Sequence, residues 1–291
     1  MQKGAHSRTA EVTAAIRAGH LLYDHPLVFE DPYAIALTSP LWRTICASPI
    51  LHRLVIRGLF KSLRPVHGWI LSRDSLTERT LQEAVADGCP QFVLLGAGFD
   101  SIALRNPSWL GETRIFEVDF PATQSKKRER LAALVPPVEQ PEVRWISLDL
   151  EVESLAGAMR DGAYDSSARA LFSWQGVIYY LTQSAIDDTL DSIAALTSSG
   201  SELLFDFLLP ENMMSGKERR VLSFADSFTR RLGERYISFH SVDDIARLLE
   251  RHGFDVKRIW LDQEIAQEIV GQRDDGLSVM RGFGIAHAIR R

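Results

Sequence analysis

The 291-residue chain is long enough to bury one large core, or a core with a substantial cap, and its 45% hydrophobic and 24% charged residues are ordinary for a soluble protein. A net charge of −5 argues against nucleic acid as a default partner, and the two isolated cysteines, Cys46 and Cys89, make neither a disulfide scaffold nor a zinc site but suit a reducing cytoplasm. The opening MQKGAHSRTAEV lacks the apolar core of a signal peptide, and no run approaches the roughly 18 apolar residues of a membrane span.

From about Thr9 to Ser72 the pattern is helical. Thr9 is placed to cap a helix through His20, with Val12, Ala15 and Ile16 on one face. The prolines and aspartates of YDHPLVFEDPYAIAL then punctuate a turn before a short helix. From Arg73 strands and helices alternate, which predicts a parallel sheet covered on both faces. Ser75 and Glu78 read as a capping box for a helix ending at Gly88. Strands follow at Phe92–Leu95, Thr113–Val118, Val143–Ile146, Ala170–Trp174 and Glu202–Leu208. Pro121 suits the first turn of a helix through Leu134, and Thr182 caps one running to Leu196. Ser241 and Asp244 form a capping box for a helix stopped by Gly253, and Val256–Trp260 and Gly284–Ile289 are closing strands. The predicted architecture is an α/β doubly wound sheet over residues 73–291, an N-terminal helical cap over 1–72, and a polar-aromatic lid insert at about 210–240.

The stretch QFVLLGAGFDSIALR carries the first functional signal. Its apolar run ends abruptly in Gly96-Ala97-Gly98, as when a buried parallel strand delivers its chain to a nucleotide. A dinucleotide fold would place a third glycine three residues on, where this chain has Ser101. Asp119 ends the second strand 23 residues after Gly96, near the roughly 20-residue spacing at which a carboxylate meets ribose hydroxyls. The bland reading of Asp119 is a helix N-cap before Pro121, and Glu117, two residues earlier on the same side, is the reserve. These residues point to a nucleoside site and leave its ring system open.

Several blocks together narrow the choice. SRDSLTERTLQEA, QFVLLGAGFDSIALR, FEVDFPATQSKKRERL, ALFSWQGVIYYLTQSAIDDTL and GSELLFDF, with the opening SRTAEVTAAIRA…FEDPYA, resemble the leucine carboxyl methyltransferase family. The match is to its bacterial branch of O-methyltransferases, often associated with polyketide pathways. The resemblance spans nearly the whole chain and is thinnest between Pro40 and Ile70 and in the insert. It implies a class I Rossmann-like methyltransferase using S-adenosylmethionine, a cofactor with no pyrophosphate and hence no need of the third glycine. It further implies that Arg73 holds the methionine carboxylate, that the backbone at Gly96 and Gly98 passes close to the methionine portion, that Asp119 holds the ribose hydroxyls and Asp149 the adenine amino edge, with Ala97, Phe120 and Leu150 also at the cofactor. Gln175 departs from the family's glutamate, retaining an acceptor oxygen but losing the charge expected near the sulfonium.

A carboxylate acceptor is already ionised at neutral pH, whereas a hydroxyl would need a base, for which Tyr180 and His240 are the candidates, with Tyr179 beside them. Between Asp31 and Asp74 the chain has no acidic residue, and Arg53, Arg57, Lys61 and Arg64 recur at spacings that place them on one helical face. The bland reading is a cap helix with its apolar side on the sheet domain; the sharper one is a docking face for an acidic partner, such as a substrate-carrying protein, or for an anionic substrate. Interfacial membrane contact ranks third, because Gly58 weakens the helix and the aromatic content is low. The expected function is O-methylation of a small, secondary-metabolite acceptor in the cytoplasm, without metal. The rivals are a non-catalytic cofactor-binding protein acting through the basic helix, and a nicotinamide oxidoreductase, which the missing third glycine disfavours.

Overall fold

The computed structural model describes residues 6–134, 142–160 and 163–291. Its sheet strands are β1 (Gln91–Leu95), β2 (Arg114–Asp119), β3 (Val143–Ser147), β4 (Leu171–Trp174), β5 (Glu202–Leu208), β6 (Phe254–Leu261) and β7 (Phe283–Arg290). Alternation along β1 explains why it must be central. Val93 and Leu95 enter one hydrophobic cluster with Phe116, Val118 and Phe172, while Phe92 and Leu94 enter another with Ile115, Leu81 and Ala84. Neither face is left for water.

The strand order is β3-β2-β1-β4-β5-β7-β6. β1 to β5 pair in parallel, and β7 runs antiparallel to both β5 and β6. The chain winds outward from β1 through β2 to β3, then returns to β4 on the other side of β1. That reversal opens a crevice at the carboxyl ends of β1 and β4, the place where such sheets bind ligands. This is the expected Rossmann-like sheet, with the closing strands set antiparallel.

The helices are α1 (Arg8–Tyr23), α2 (Ala34–Leu37), α3 (Pro40–Ala47), α4 (Pro49–Leu54), α5 (Arg64–Ala86), α6 (Ile102–Arg105), α7 (Pro121–Leu134), α8 (Leu155–Arg160), α9 (Gln183–Leu196), α10 (Gly216–Arg231), α11 (Val242–Arg251) and α12 (Asp262–Ile265). The caps read at Thr182 and at Ser241/Asp244 are present, their hydroxyls accepting from Ala185 and Asp244 backbone N–H groups. Three local readings change. Ser7, not Thr9, caps α1, accepting from the Ala10 N–H at 3.0 Å. Ser75 and Glu78 form no capping box, because α5 starts eleven residues earlier, with Pro65 in its first turn, and already satisfies those N–H groups. Glu78 instead pairs with Arg105. The insert contains α10, begun by a Ser215/Glu218 capping box.

Residues 72 and 73 both lie inside α5, which runs from Arg64 to Ala86. One larger expectation changes. The four cations do not share one helical face. The segment is α4, a π turn at Val55–Leu59 around Gly58 and a 3₁₀ turn at Lys61–Leu63, so the helical register is lost between Arg53 and Arg64. Asp24 at the end of α1 takes up two of them, accepting from Arg64 Nη2 at 2.9 Å and Arg57 Nη2 at 3.1 Å. Ile50, Leu54 and Leu59 face solvent, not the sheet.

Candidate cofactor and acceptor site

A single cavity of about 400 Å³ runs from the carboxyl ends of β1, β2 and β4 to the underside of the cap. At the sheet end, Gly96 and Gly98 adopt φ of +70° and +53°, backbone that side chains rarely take. A Cβ on Gly96 would lie 2.2 Å from Val177 Cγ2. The Gly96 and Ala97 N–H groups are turned back onto Val118 O, at 2.8 and 3.2 Å, which folds the turn over β2. Asp119, at the end of β2, accepts from the Gly98 N–H and, at 2.6 Å, from the Phe120 N–H. Burial raises its carboxyl to about 6, against the stabilising pull of those two donors.

Arg73 approaches from α5. Its Nη1 donates to Asp206 Oδ2 at 3.3 Å and to Tyr179 Oη at 3.2 Å, while its buried Nε has no hydrogen-bond partner among the described residues. Burial alone would lower the guanidinium's pKa, but Tyr179, Asp206 and Asp74 raise it above its ordinary value, so the charge is held firmly. Asp206 also accepts from the Gly176 N–H at 2.6 Å. Gly176 is needed here: at φ +75°, a Cβ would stand 2.6 Å from Arg73 Nη1. Next to it, both the oxygen and the nitrogen of the buried Gln175 amide lack hydrogen-bond partners among the described residues. An orphaned amide facing a cavity is a costly arrangement unless a ligand completes it.

Arg73, Gly96, Ala97, Gly98, Asp119, Phe120, Asp149, Leu150 and Gln175 all line this one cavity. Tyr180 lines it too, stacked on Tyr236 at 5.4 Å between centroids. Burial pushes the Tyr179 and Tyr180 hydroxyls well above their ordinary range, so Tyr180 is suited to donate a hydrogen bond and not to act as a base. Two other candidates lie elsewhere. Glu117 is buried against Lys127 of α7 at 2.5 Å, away from the cavity lining, because the α7 ammonium neutralises it inside the fold. His240 also stands outside the lining; its backbone N–H donates to Leu208 O at 2.8 Å, joining α11's entrance to β5.

Sequence reasoning missed Asp206 and the cap end. Asp206 was visible only as the lone acid in the apolar strand ELLFDFL. At the cap end, Trp42, Cys46, His52, Ile56, Phe60 and Leu63 line the cavity, facing Ala225 and Phe228 of α10. Phe60 and Phe228 meet edge to face with centroids 6.2 Å apart. His52 and His67 are buried in this wall; burial lowers them to about 4 and about 3, assisted by Arg57 and Arg64 for His52 and by Arg64 for His67, so both are neutral imidazoles at neutral pH.

The residues at the sheet end fit the cofactor implied by the sequence. The donor and acceptor set comprises a fixed guanidinium, a buried carboxylate, a second carboxylate at the end of β3, an unsatisfied amide, and two glycines where side chains would block approach.

Comparisons with known proteins agree with this reading. The leucine carboxyl methyltransferase family matches over residues 10–194. A Bacillus subtilis (strain 168) protein provisionally named as an S-adenosyl-L-methionine-dependent methyltransferase, YktD, is 25% identical over the whole of both chains. A similarly named protein of Mycolicibacterium paratuberculosis is 34% identical over 69% of this chain and 72% of its own. Among solved structures, a DUF574 family protein of Streptomyces avermitilis superposes with a TM-score of 0.63 over 98% of each chain at 12% identity. One described as a methyltransferase from Thermobifida fusca gives 0.61 over 100% and 96% at 15% identity. With matching sequence over most of its sheet domain and the same fold end to end, the chain belongs to the leucine carboxyl methyltransferase family, a family of S-adenosylmethionine-dependent methyltransferases.

Proposed function

We propose that this protein transfers the methyl group of S-adenosylmethionine to a carboxylate or hydroxyl oxygen of a small, largely apolar acceptor, of the kind found in polyketide-type secondary metabolism, held beneath the helical cap. One observation carries the reading: the cavity that begins at the Gly96–Gly98 turn and Gln175 continues without a break into the apolar wall of Trp42, Ile56, Phe60 and Phe228. Bound at the sheet end, the cofactor supplies an activated methyl on a sulfonium. Arg73 would hold its methionine carboxylate through a guanidinium already fixed by Asp206, Asp119 would accept from the ribose hydroxyls, and Asp149 with Leu150 would border the adenine. The remaining work of the chain is to align the acceptor oxygen and exclude water. A carboxylate arrives ionised and asks nothing more. A hydroxyl would need a base, and His52 and His67, lowered to about 4 and about 3, would accept a hydrogen bond from it without holding its proton, which favours the carboxylate.

The test is methyl transfer to a panel of carboxylic acids and hydroxylated compounds, read by mass spectrometry before and after mild alkali. An alkali-labile product is an ester, a stable one an ether. Loss of the signal in Asp119→Ala ties it to this site. A second reading, a cofactor-binding protein without catalysis, rests on the neutral Gln175; methyl transfer absent from wild type and from Gln175→Glu alike, with cofactor binding retained, would favour it.

A further inference from the structure

The segment between α3 and α5 is one layer thick. His52, Ile56, Phe60 and Leu63 turn inward to the cavity, while their neighbours turn outward. On the outer side Leu41, Ile50, Leu54 and Leu59 are 67, 71, 63 and 74% exposed, more than any other large apolar residue described except Val152. An aliphatic side chain in water loses what burial would return, so four gathered within 19 residues are an exception to the way the rest of this chain packs. With Arg57 and Arg64 drawn to Asp24, Arg53 and Lys61 remain exposed on the same segment, as does Arg43 on α3. No acidic residue lies anywhere from 32 to 73 in a chain of net charge −5. Across the Phe60–Phe228 seam, α10 continues the theme, with Phe224 exposed one turn before Phe228 and Arg230 and Arg231 exposed just after it.

We propose that the outer face of residues 40–63, with the adjoining edge of α10, docks on an anionic phospholipid surface. Protein partners are typically gripped by aromatic and arginine anchors in pockets, and leucine is under-represented among such anchors. Protruding aliphatics flanked by Lys and Arg, on a segment that itself carries no acid, instead match a segment lying in the headgroup layer, its cations extending on long stems to the phosphates. The placement has a functional consequence. The docked face is the back of the wall whose front lines the proposed acceptor end of the cavity, so docking would hold that end of the cavity beside the bilayer.

The experiment is sedimentation of the full chain, without cofactor, with vesicles of phosphatidylcholine alone or mixed in equal parts with phosphatidylglycerol. Strong binding is expected only to the mixed vesicles, weakened at least tenfold in the Ile50→Ser/Leu54→Ser/Leu59→Ser variant, and by roughly thirtyfold or more in Arg53→Glu/Lys61→Glu, given the usual worth of a surface cation near anionic lipid. Circular dichroism and melting temperature establish that both variants fold; their changes lie at exposed side chains. No binding to mixed vesicles would overturn the proposal. So would binding that the serine variant retains in full, since charge alone would then explain it. A chain that ignores vesicles but sediments as a dimer, and becomes monomeric in the serine variant, would assign the face to a second copy instead.

Discussion

The two ends of the cavity are built differently. At the sheet end the site is made by backbone: positive-φ glycines, the ends of three strands, and side chains fixed by buried partners such as Asp206. At the cap end it is made by side chains on short, irregular turns, held through one buried carboxylate, Asp24. The first can hold a ligand that never changes; the second is free to vary with the acceptor. That division is what the proposed arrangement, cofactor at the sheet end and acceptor at the cap end, would require of one cavity.

The comparison is broken most severely at Asp206. Replacing it by alanine leaves the buried Arg73 with Asp74, at 3.6 Å, as its remaining carboxylate and is expected to cost about 3 kcal/mol of stability, the lower end of the usual result of removing one member of a buried ion pair. Urea denaturation checks this, and a loss under 1 kcal/mol would mean that Arg73 does not depend on it. The equivalent change at the cap, Asp24→Asn, removes a carboxylate that burial would raise but that His20 and Arg64 hold well below its ordinary range. Because that folded pKa is depressed, its stabilising contribution is present above the ordinary carboxylate range and fades as pH falls through the lower folded value. The Asp24→Asn deficit in stability should therefore be full at pH 7 and shrink on acidification below about pH 4.

Smaller effects separate the two ends by ligand. Cofactor affinity should be flat above pH 7 and fall as pH drops below 6, because protonation of Asp119, raised to about 6, removes the ribose acceptor. The loss should approach tenfold per pH unit and be absent in Asp119→Asn, as followed by titration calorimetry. If residue 175 faces the sulfonium, Gln175→Glu should tighten S-adenosylmethionine by roughly tenfold, the margin of about 1–2 kcal/mol by which charged hydrogen bonds exceed neutral ones, with a smaller gain for the product S-adenosylhomocysteine, which keeps the ammonium but lacks the sulfonium charge. Equal gains for both ligands would place residue 175 away from the sulfonium. Least of all, Phe228→Ala should raise the acceptor KM several-fold while leaving cofactor affinity unchanged.

What the sequence revealed follows the same division. β5 was legible to its last residue because an apolar run interrupted only by Asp206 and buried on both faces has few other uses. The Thr182 and Ser241 caps were legible because the polar residue stands directly before an apolar-periodic stretch. The Ser75/Glu78 pattern misled because a capping box acts only where N–H groups are free, and nothing local shows that a helix has already begun at Arg64. The cationic stripe misled for a related reason. Regular spacing places residues on one face only if the helix persists, and the turns around Gly58 together with the distant Asp24 redirect Arg57 and Arg64. Asp206 was hidden because its partner, Arg73, lies 133 residues away in sequence.

Titration of the purified chain with S-adenosylmethionine at pH 7.5, on wild type and Asp119→Ala, bears most directly on the sheet end as the cofactor site. Saturable binding by the wild type, weakened about a hundredfold in a variant that melts normally, is the expected result, since it loses a buried charged hydrogen-bond acceptor worth roughly 1.5–3 kcal/mol. Undiminished binding in Asp119→Ala, or none in wild type across pH 7 to 8, would contradict it.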